Sequence, residues 1–445
     1  RMFSGGYHKV DFFRQSMMIF FEKISDFSRK TGDKIEGIAL CGHGPSILLI
    51  DDTGNPLTDI ITWQDRSASQ SADELKTIIH DFSKDGTSYE AKLYKFFTDR
   101  NNLFSCSLKV LYPKDYVIFL LTGRMVMDLP TAATLAFYNA DSRLFDTYST
   151  GIPTDIFPEV IESWDEAGRT ATEFSRDCSL ADGIPVISGG IDAWCEALGA
   201  GAIDDGMMVD GSGTSTCITC CRKKGSSKLY HVIPEKSLDI EMMSSTGASI
   251  AWFMDILHID LDEIKKIDSF VPVPVIYLPY LDGERSPVWD DRASASFTGV
   301  VSKNSREDLT RSVLQGISFG TRQCIKLTGK GSEYTESGIR AVGGGANNKV
   351  LLQYKANITG IKYISMKETD AAPLGAMILA AFGCGKESIP ELIDKWVKSN
   401  YEVVPDNTYR EIWDQLFEIY AALFFRIRET NHKLFEIRNM LGKYR

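Results

Sequence analysis

Two glycine turns and one isolated aspartate carry the chemistry most legible in this chain. The first turn is Val209-Asp210-Gly211-Ser212-Gly213-Thr214-Ser215-Thr216; the second, Gly343-Gly344-Gly345-Ala346-Asn347-Asn348, follows the strand-like residues 339–342 and precedes a helix. Both put hydroxyl or amide side chains beside glycines. Backbone N–H groups approach oxyanions closely only where no Cβ intrudes, so such turns suit a phosphate cradle. Each alone is equally what an ordinary tight turn looks like. The aspartate is Asp192: an apolar strand, residues 183–188, delivers the chain into Gly189-Gly190-Ile191-Asp192, and a small-residue helix, residues 193–200, follows. An Asp at that place is either a helix cap or a general base. Phosphoryl transfer needs little covalent chemistry from a protein: a clamp on the phosphates, a divalent ion, and a base for the acceptor hydroxyl. The Walker pattern and the protein-kinase glycine loop are both absent, so a different nucleotide fold is implied.

Other chemistry-bearing residues read more ambiguously. His43 lies in Cys41-Gly42-His43-Gly44-Pro45 at a strand end, where a substrate contact and a capping histidine fit equally well. Cys217-x-x-Cys220-Cys221 has no second pair at metal-site spacing, and residues 216–221 alternate like a strand, so buried thiols are the better reading.

The elements that must position these residues form an α/β pattern. Residues 12–27 read as a helix with no strand before it, and residues 35–40 and 46–50 read as two strands around a turn. The stretch from Pro113 to Leu121 is helix-like and stopped by Thr122-Gly123, while residues 408–441 keep helical apolar spacing without breakers and predict one long closing helix. At 445 residues the chain has room for two domains or more. Its formal charge of -11, from 49 Lys plus Arg against 60 Asp plus Glu, argues against nucleic acid as a partner. The apolar runs fall short of the ~20 residues that span a bilayer, which predicts no membrane span and a cytoplasmic protein. Nine scattered cysteines predict reduced thiols.

The order of motifs resembles the FGGY family of carbohydrate kinases, which includes xylulokinases, ribulokinases, gluconate kinases and glycerol kinases. The resemblance rests on the residue 35–49 hairpin with Asp52-x-Gly54, Trp63-x-Asp65-Arg66, Lys114-Asp115-Tyr116, Leu121-Thr122-Gly123 and Asp128 before Thr131-Ala132-Ala133. It continues through Ile184-Pro185-Val186 to Asp192, Leu198-Gly199-Ala200-Gly201, Gly213-Thr214-Ser215, Leu278-Pro279-Tyr280-Leu281-x-Gly283-Glu284-Arg285-x-Pro287 and Gly343-Gly344-Gly345. Nearly the whole chain is covered.

This resemblance implies two ribonuclease-H-like domains of the actin, hexokinase and Hsp70 superfamily flanking an active-site cleft. Residues 1–200 would form the N-terminal kinase domain and residues 201–445 the C-terminal one with its closing helix. Carried over by position, Asp192 would be the catalytic base, touch the acceptor and lie at the magnesium; His43, Gly44 and Trp63 would contact or wall the acceptor. Gly213 and Thr214 would face the transferred phosphate, Gly247 the nucleotide, and Gly344 with Asn348 the adenosine side. Asp65 and Arg66 match a motif read as partly structural. ATP and Mg2+ are the implied cofactors, a small sugar the implied partner, and a homodimer an expected assembly.

Three departures shape the expectation. The family opens with a strand and an Asp-x-Gly-Thr loop, which these residues lack before Arg1, so a segment supplying it is expected outside this sequence. The region between Arg66 and Tyr112 lacks the family's Lys-x-x-Trp stretch. Ala251 stands where glycerol kinases place a glutamine, and Gly44 where they place an acidic ligand, which disfavours glycerol. The leading expectation is an ATP-dependent kinase of a ketose such as xylulose, or of a polyol or sugar acid. A non-catalytic sugar or nucleotide sensor on the same fold is the alternative, and a protein-binding ATPase of the actin or chaperone type a further rival.

Overall fold

The computed structural model describes residues 6–80, 82, 84–99, 108–148, 150–328 and 337–442. Cys106 lies outside them. The chain groups into two compact units. The first holds residues 1–199, 228–236 and 372–393, the second residues 200–227, 237–371 and 394–445. Segments 228–236 and 372–393 thus contact the first unit although they follow residue 200. Gly375 shows why the second of these is held there: a Cβ on it would lie 1.9 Å from the Cys195 carbonyl oxygen.

In the first unit, helix α1 (Val10–Thr31) is preceded by a two-residue strand, Tyr7–His8, which pairs with Ile60–Ile61 and which the sequence did not suggest. Strands β1 (Ile38–Gly42) and β2 (Leu48–Asp51) follow, but they do not form the expected hairpin. Strand β2 instead pairs antiparallel with β3 (Leu108–Leu111). The run from Ile47 to Ile50 is wholly buried because alternation sends its side chains to two cores. Ile47 and Leu49 join Tyr89, Tyr112 and Phe137, whereas Leu48 and Ile50 join Tyr116, Leu121 and Val186. Helix α2 (Pro113–Thr122) starts with Pro at its first position and ends at Gly123, whose φ of 74° and N–H bond to Phe119 O make a left-handed stop. After β4 (Val126–Asp128) and β5 (Glu159–Ile161), which pair in parallel, come β6 (Glu166–Arg169) and β7 (Pro185–Ile191). β7 lies between β6, antiparallel, and β1, parallel, and runs directly into helix α3 (Asp192–Gly199).

The second unit is built on six strands in the order β10-β9-β8-β11-β12-β13: β8 (Met208–Ser212), β9 (Thr216–Lys223), β10 (Lys236–Met243), β11 (Ile339–Val342), β12 (Tyr363–Met366) and β13 (Ser399–Val403). β8 pairs antiparallel with β9 and parallel with β11. Helices α4 (Gly247–Leu257), α5 (Arg306–Leu327), α6 (Lys349–Thr359) and α7 (Arg410–Gly442) accompany the sheet. α5 begins in a capping box of Ser305 and Asp308. α7 is the long helix that the apolar spacing predicts: Trp413, Leu416, Phe417, Tyr420, Leu423 and Phe424 recur every three or four residues and bury one stripe among Phe319, Ile317 and Tyr280.

The loop before α5 holds a buried acid. Glu284 is 4% exposed; its Oε1 accepts N–H bonds from Ser244 and Arg285, and its Oε2 is buried without a partner. Burial raises its pKa to about 7 from 4.5. The folded state therefore holds this proton more tightly than the unfolded chain, so stability from this group falls as pH rises from about 4.5 through about 7. Glu284→Gln keeps the shape and removes the buried charge. It should raise the melting temperature at pH 8 and flatten the decline in stability between pH 5 and 8, by at most about 3 kcal/mol. A variant with the wild-type slope in a melting series across that range would contradict this origin.

No helix among the described residues is long and apolar enough to cross a membrane.

Candidate active site

Strand pairing brings His43 and Asp192 together. β1 and β7 run parallel with Cys41 opposite Gly190 and Gly42 opposite Ile191, so the next residue of each, His43 and Asp192, leaves the sheet at the same carboxyl end. Ligands of open α/β sheets bind outside that end. Gly190 and Ile191 bring the chain there in extended form, and Asp192 opens α3. Asp192 Oδ1 accepts the Ala193 N–H at 2.7 Å, a bond to the adjacent residue and not the N2 or N3 bond of a helix cap, and Asp192 is itself the first residue of α3. Its side chain is solvent-accessible, yet crowding by surrounding protein desolvates the carboxylate and raises its pKa, opposed by the Ala193 bond. An accessible carboxylate with a raised pKa suits a base that must accept a hydroxyl proton.

His43 is held from behind. Its Nδ1 lies 2.8 Å from Ser46 Oγ, and the same oxygen accepts the backbone N–H of Trp63 at 3.2 Å. Ser46 is fully buried, and its hydroxyl hydrogen is satisfied when it is donated to Nδ1. That assignment leaves the proton of a neutral imidazole on Nε2, a donor for an acceptor hydroxyl. Burial, then the neighbouring His8 and Lys92, lowers the His43 pKa and keeps the ring neutral. Trp63, 41% exposed, thus shares an anchor with His43. Gly44 packs so that a Cβ would lie 2.9 Å from Tyr112 Cε1 and 3.4 Å from Ile191 Cδ1, next to Asp192. All four predicted acceptor residues therefore belong to one neighbourhood. Asp65, by contrast, accepts from the Ser67 N–H and hydroxyl and serves its own turn.

Behind this neighbourhood lies a buried triad whose motif was visible but whose role was not. Lys114 Nζ sits 2.5 Å from Asp115 Oδ1 and 2.7 Å from Asp128 Oδ1. Asp128 also caps the next helical turn through the Thr131 N–H and hydroxyl. Burial raises the Asp115 pKa to about 6 against the pull of Lys114, while Lys114 itself, which burial would lower, is held above its usual value by the two carboxylates.

The second unit carries the predicted phosphate turns. Ser212 pairs with Thr216 across the β8–β9 hairpin, leaving Gly213-Thr214-Ser215 as the loop. Gly213 donates to Ser215 O, and the first N–H groups of α4 are occupied: Thr246 and Ala248 donate to Thr214 O and Gly247 to Gly213 O. Among the described residues the N–H groups of Thr214 and Ser215 have no backbone acceptor, so they and the Thr214 hydroxyl are the donors left for an anion. Gly247 is required because a Cβ would lie 2.6 Å from Gly213 O. Gly247→Ala should push the turn aside and weaken nucleotide binding about tenfold, the scale of one lost charge-assisted hydrogen bond. Titration calorimetry with Mg-ADP would check this, and unchanged affinity would count against the turn.

In the second glycine run, Gly343 and Gly345 answer to packing. A Cβ on Gly343, at φ 76°, would lie 2.5 Å from Ser212 O, and one on Gly345 2.7 Å from Ser212 Cβ. Gly344 is exposed with open space where a Cβ would be. Asn348 caps α6, its Oδ1 accepting the Leu351 N–H at 3.1 Å. Cys217, Cys220 and Cys221 lie on β9, and no group of three or more potential metal ligands occurs among the described residues. Two features escaped sequence reading: Ser46, and a buried Lys355–Asp210 pair at 2.6 Å beneath the first turn. An isolated lysine between Leu351, Leu352, Ala356 and Ile358 on one helix was the available signal for the second.

Known proteins resemble this chain in both of its halves. Residues 8–199 match the N-terminal domain of the FGGY family of carbohydrate kinases and residues 212–384 its C-terminal domain. A xylulose kinase of Lactococcus lactis is 26% identical over 440 residues, covering 93% of this chain and 86% of the relative. Glycerol kinase 2 of Saccharolobus solfataricus is 26% identical over 429 residues, covering 88% and 84%. Among solved structures, the ligand-bound xylulose kinase of Lactobacillus acidophilus has the same fold with a TM-score of 0.84 at 22% identity, covering 96% of this chain and 91% of that one. The protein is thus a phosphotransferase that uses an alcohol group as acceptor, and the chain belongs to the FGGY family of carbohydrate kinases.

Proposed function

We propose that this sugar kinase transfers phosphate from ATP to a small ketose, with a xylulose-like acceptor as the first choice and a polyol or sugar acid next. The observation that supports it is the register that carries His43 and Asp192 past the same end of two paired strands. Asp192 takes the proton of a primary hydroxyl. His43 Nε2–H and Trp63 orient the sugar, and Gly44 lets the chain pass close against Tyr112 and Ile191 next to Asp192. The N–H groups of Thr214 and Ser215, with the Thr214 hydroxyl, meet the oxygens of the transferred phosphate, where charge develops. Gly213 and Gly247 allow that turn, and the open backbone of Gly344 and the amide of Asn348 serve the nucleoside.

Magnesium keeps much of its water shell and binds through one or two carboxylates plus substrate phosphates, so the single accessible carboxylate of Asp192 fits it without a larger acidic cluster. When bound, the ion neutralises phosphate charge. Glycerol is disfavoured because Gly44 supplies no carboxylate.

A coupled ADP-release assay on the full-length gene product, with Mg-ATP and a panel of ketoses, polyols and aldonic acids, tests the reading. One acceptor should stand well above background. Silence across the panel with sugar and nucleotide binding intact would favour a sensor on the same fold.

A further inference from the structure

Beneath the first phosphate turn runs a chain of buried polar groups that the reaction as described does not use. Lys355 Nζ donates to Asp210 Oδ2 at 2.6 Å and to Ser212 Oγ at 2.7 Å. Ser212 Oγ donates to Asp210 Oδ1 at 2.5 Å and lies 2.9 Å from Thr216 Oγ1, which is 2.6 Å from Thr246 Oγ1. All five residues are at most 2% exposed. Since the single hydrogen of Ser212 goes to the carboxylate, Thr216 must donate to Ser212 and Thr246 to Thr216. Every hydroxyl hydrogen then points toward Asp210, a cooperative arrangement in a medium of low dielectric constant.

Each end of this relay touches a ligand-facing segment. Ser212 immediately precedes Gly213, and Gly343 and Gly345 pack against its backbone and Cβ. Thr246 immediately precedes Gly247, and the Thr246 and Gly247 N–H groups bind the carbonyls of Thr214 and Gly213. A well-packed apolar pair at 210 and 355 would hold the strand to the helix without desolvating two charges, and such replacements are often neutral or stabilising. Charge burial here therefore calls for a reason other than stability.

We propose that the Lys355–Asp210–Ser212–Thr216–Thr246 relay is a positioning device for nucleotide binding. It fixes the Gly213–Ser215 turn, the Gly343–Gly345 turn and the start of α4 in one mutual register, so that their backbone donors are set before the phosphates arrive. Preorganised donors contribute more than donors that must reorganise on binding. The inference rests on assigning these turns to the nucleotide.

The test compares Thr216→Val, which keeps the shape and the β-branch but removes the hydroxyl, with Thr216→Ser, which keeps the hydroxyl. Binding of Mg-ADP is measured by titration calorimetry on the full-length protein, alongside melting temperature without nucleotide. Thr216→Val should weaken Mg-ADP about tenfold and Thr216→Ser by less than about threefold, as one buried hydrogen bond lost or kept predicts. In steady state, KM for ATP should rise while KM for the acceptor stays put. The double variant Asp210→Val/Lys355→Met guards against misfolding: it should fold and melt near wild type, yet bind Mg-ADP about tenfold more weakly. Wild-type Mg-ADP affinity in Thr216→Val and in the double variant, whatever their melting temperatures, overturns the proposal. A wild type that binds no nucleotide would refute the assignment of the turns themselves, a separate result.

Discussion

Asp192→Asn is expected to lower kcat by about 10²- to 10⁴-fold, the range that a positioned general base contributes. The amide oxygen can still accept the Ala193 N–H, so α3 keeps its start and acceptor affinity should stay within about threefold of wild type. The split separates the base from a merely structural carboxylate, which would change melting temperature more than turnover. In the wild type the acidic limb of kcat/KM should lie above the ordinary carboxylate value of 3.8, because desolvation raises the pKa of Asp192 in the free protein and the base is lost as pH falls through it. Near-normal turnover of Asp192→Asn in the full-length protein would show that another group takes the proton.

Lys114→Met should cost about 3–5 kcal/mol of stability, the penalty for leaving buried charge without its partner. Asp115 and Asp128 are both fully buried against Lys114, whose Nζ also approaches Ser188 O on the strand that leads to Asp192. Because burial lifts the Asp115 pKa to about 6, that group is largely protonated at pH 5 and ionised at pH 8. The loss should therefore be greater at pH 8 than at pH 5, and Lys114→Met/Asp115→Asn should recover part of it. Urea denaturation at the two pH values measures both effects. An identical loss at both, unrelieved by the second substitution, would place the cost in packing.

The parts of the site that were legible in the sequence depend on local backbone rules. The order of apolar strand, glycine turn, acid and helix around Asp192 is written in consecutive residues, as are the stop at Gly123 and the apolar stripe of α7. What failed was long-range. The residue 35–49 hairpin looked right because two apolar runs flank a turn, yet β1 pairs with β7 and β2 with β3. Nothing local marks a parallel partner that arrives only after a long crossover.

Buried charges went unread for a related reason. Lys114 and Lys355 resemble surface lysines until the fold sets them beside carboxylates distant in sequence or on another face. The glycine runs were found but not resolved: only the folded chain separates Gly343 and Gly345, demanded by contact with Ser212, from Gly344, which faces open space.

The most direct test of the central claim is the stoichiometry of products formed by the full-length protein from Mg-ATP and xylulose, followed by phosphorus NMR. The account predicts equal amounts of ADP and a sugar phosphate esterified at a primary hydroxyl, with ADP formation dependent on the acceptor and slowed at least about 10²-fold in Asp192→Asn. ADP released with inorganic phosphate alone, at a rate indifferent to sugar, would contradict it and mark the protein as an ATPase.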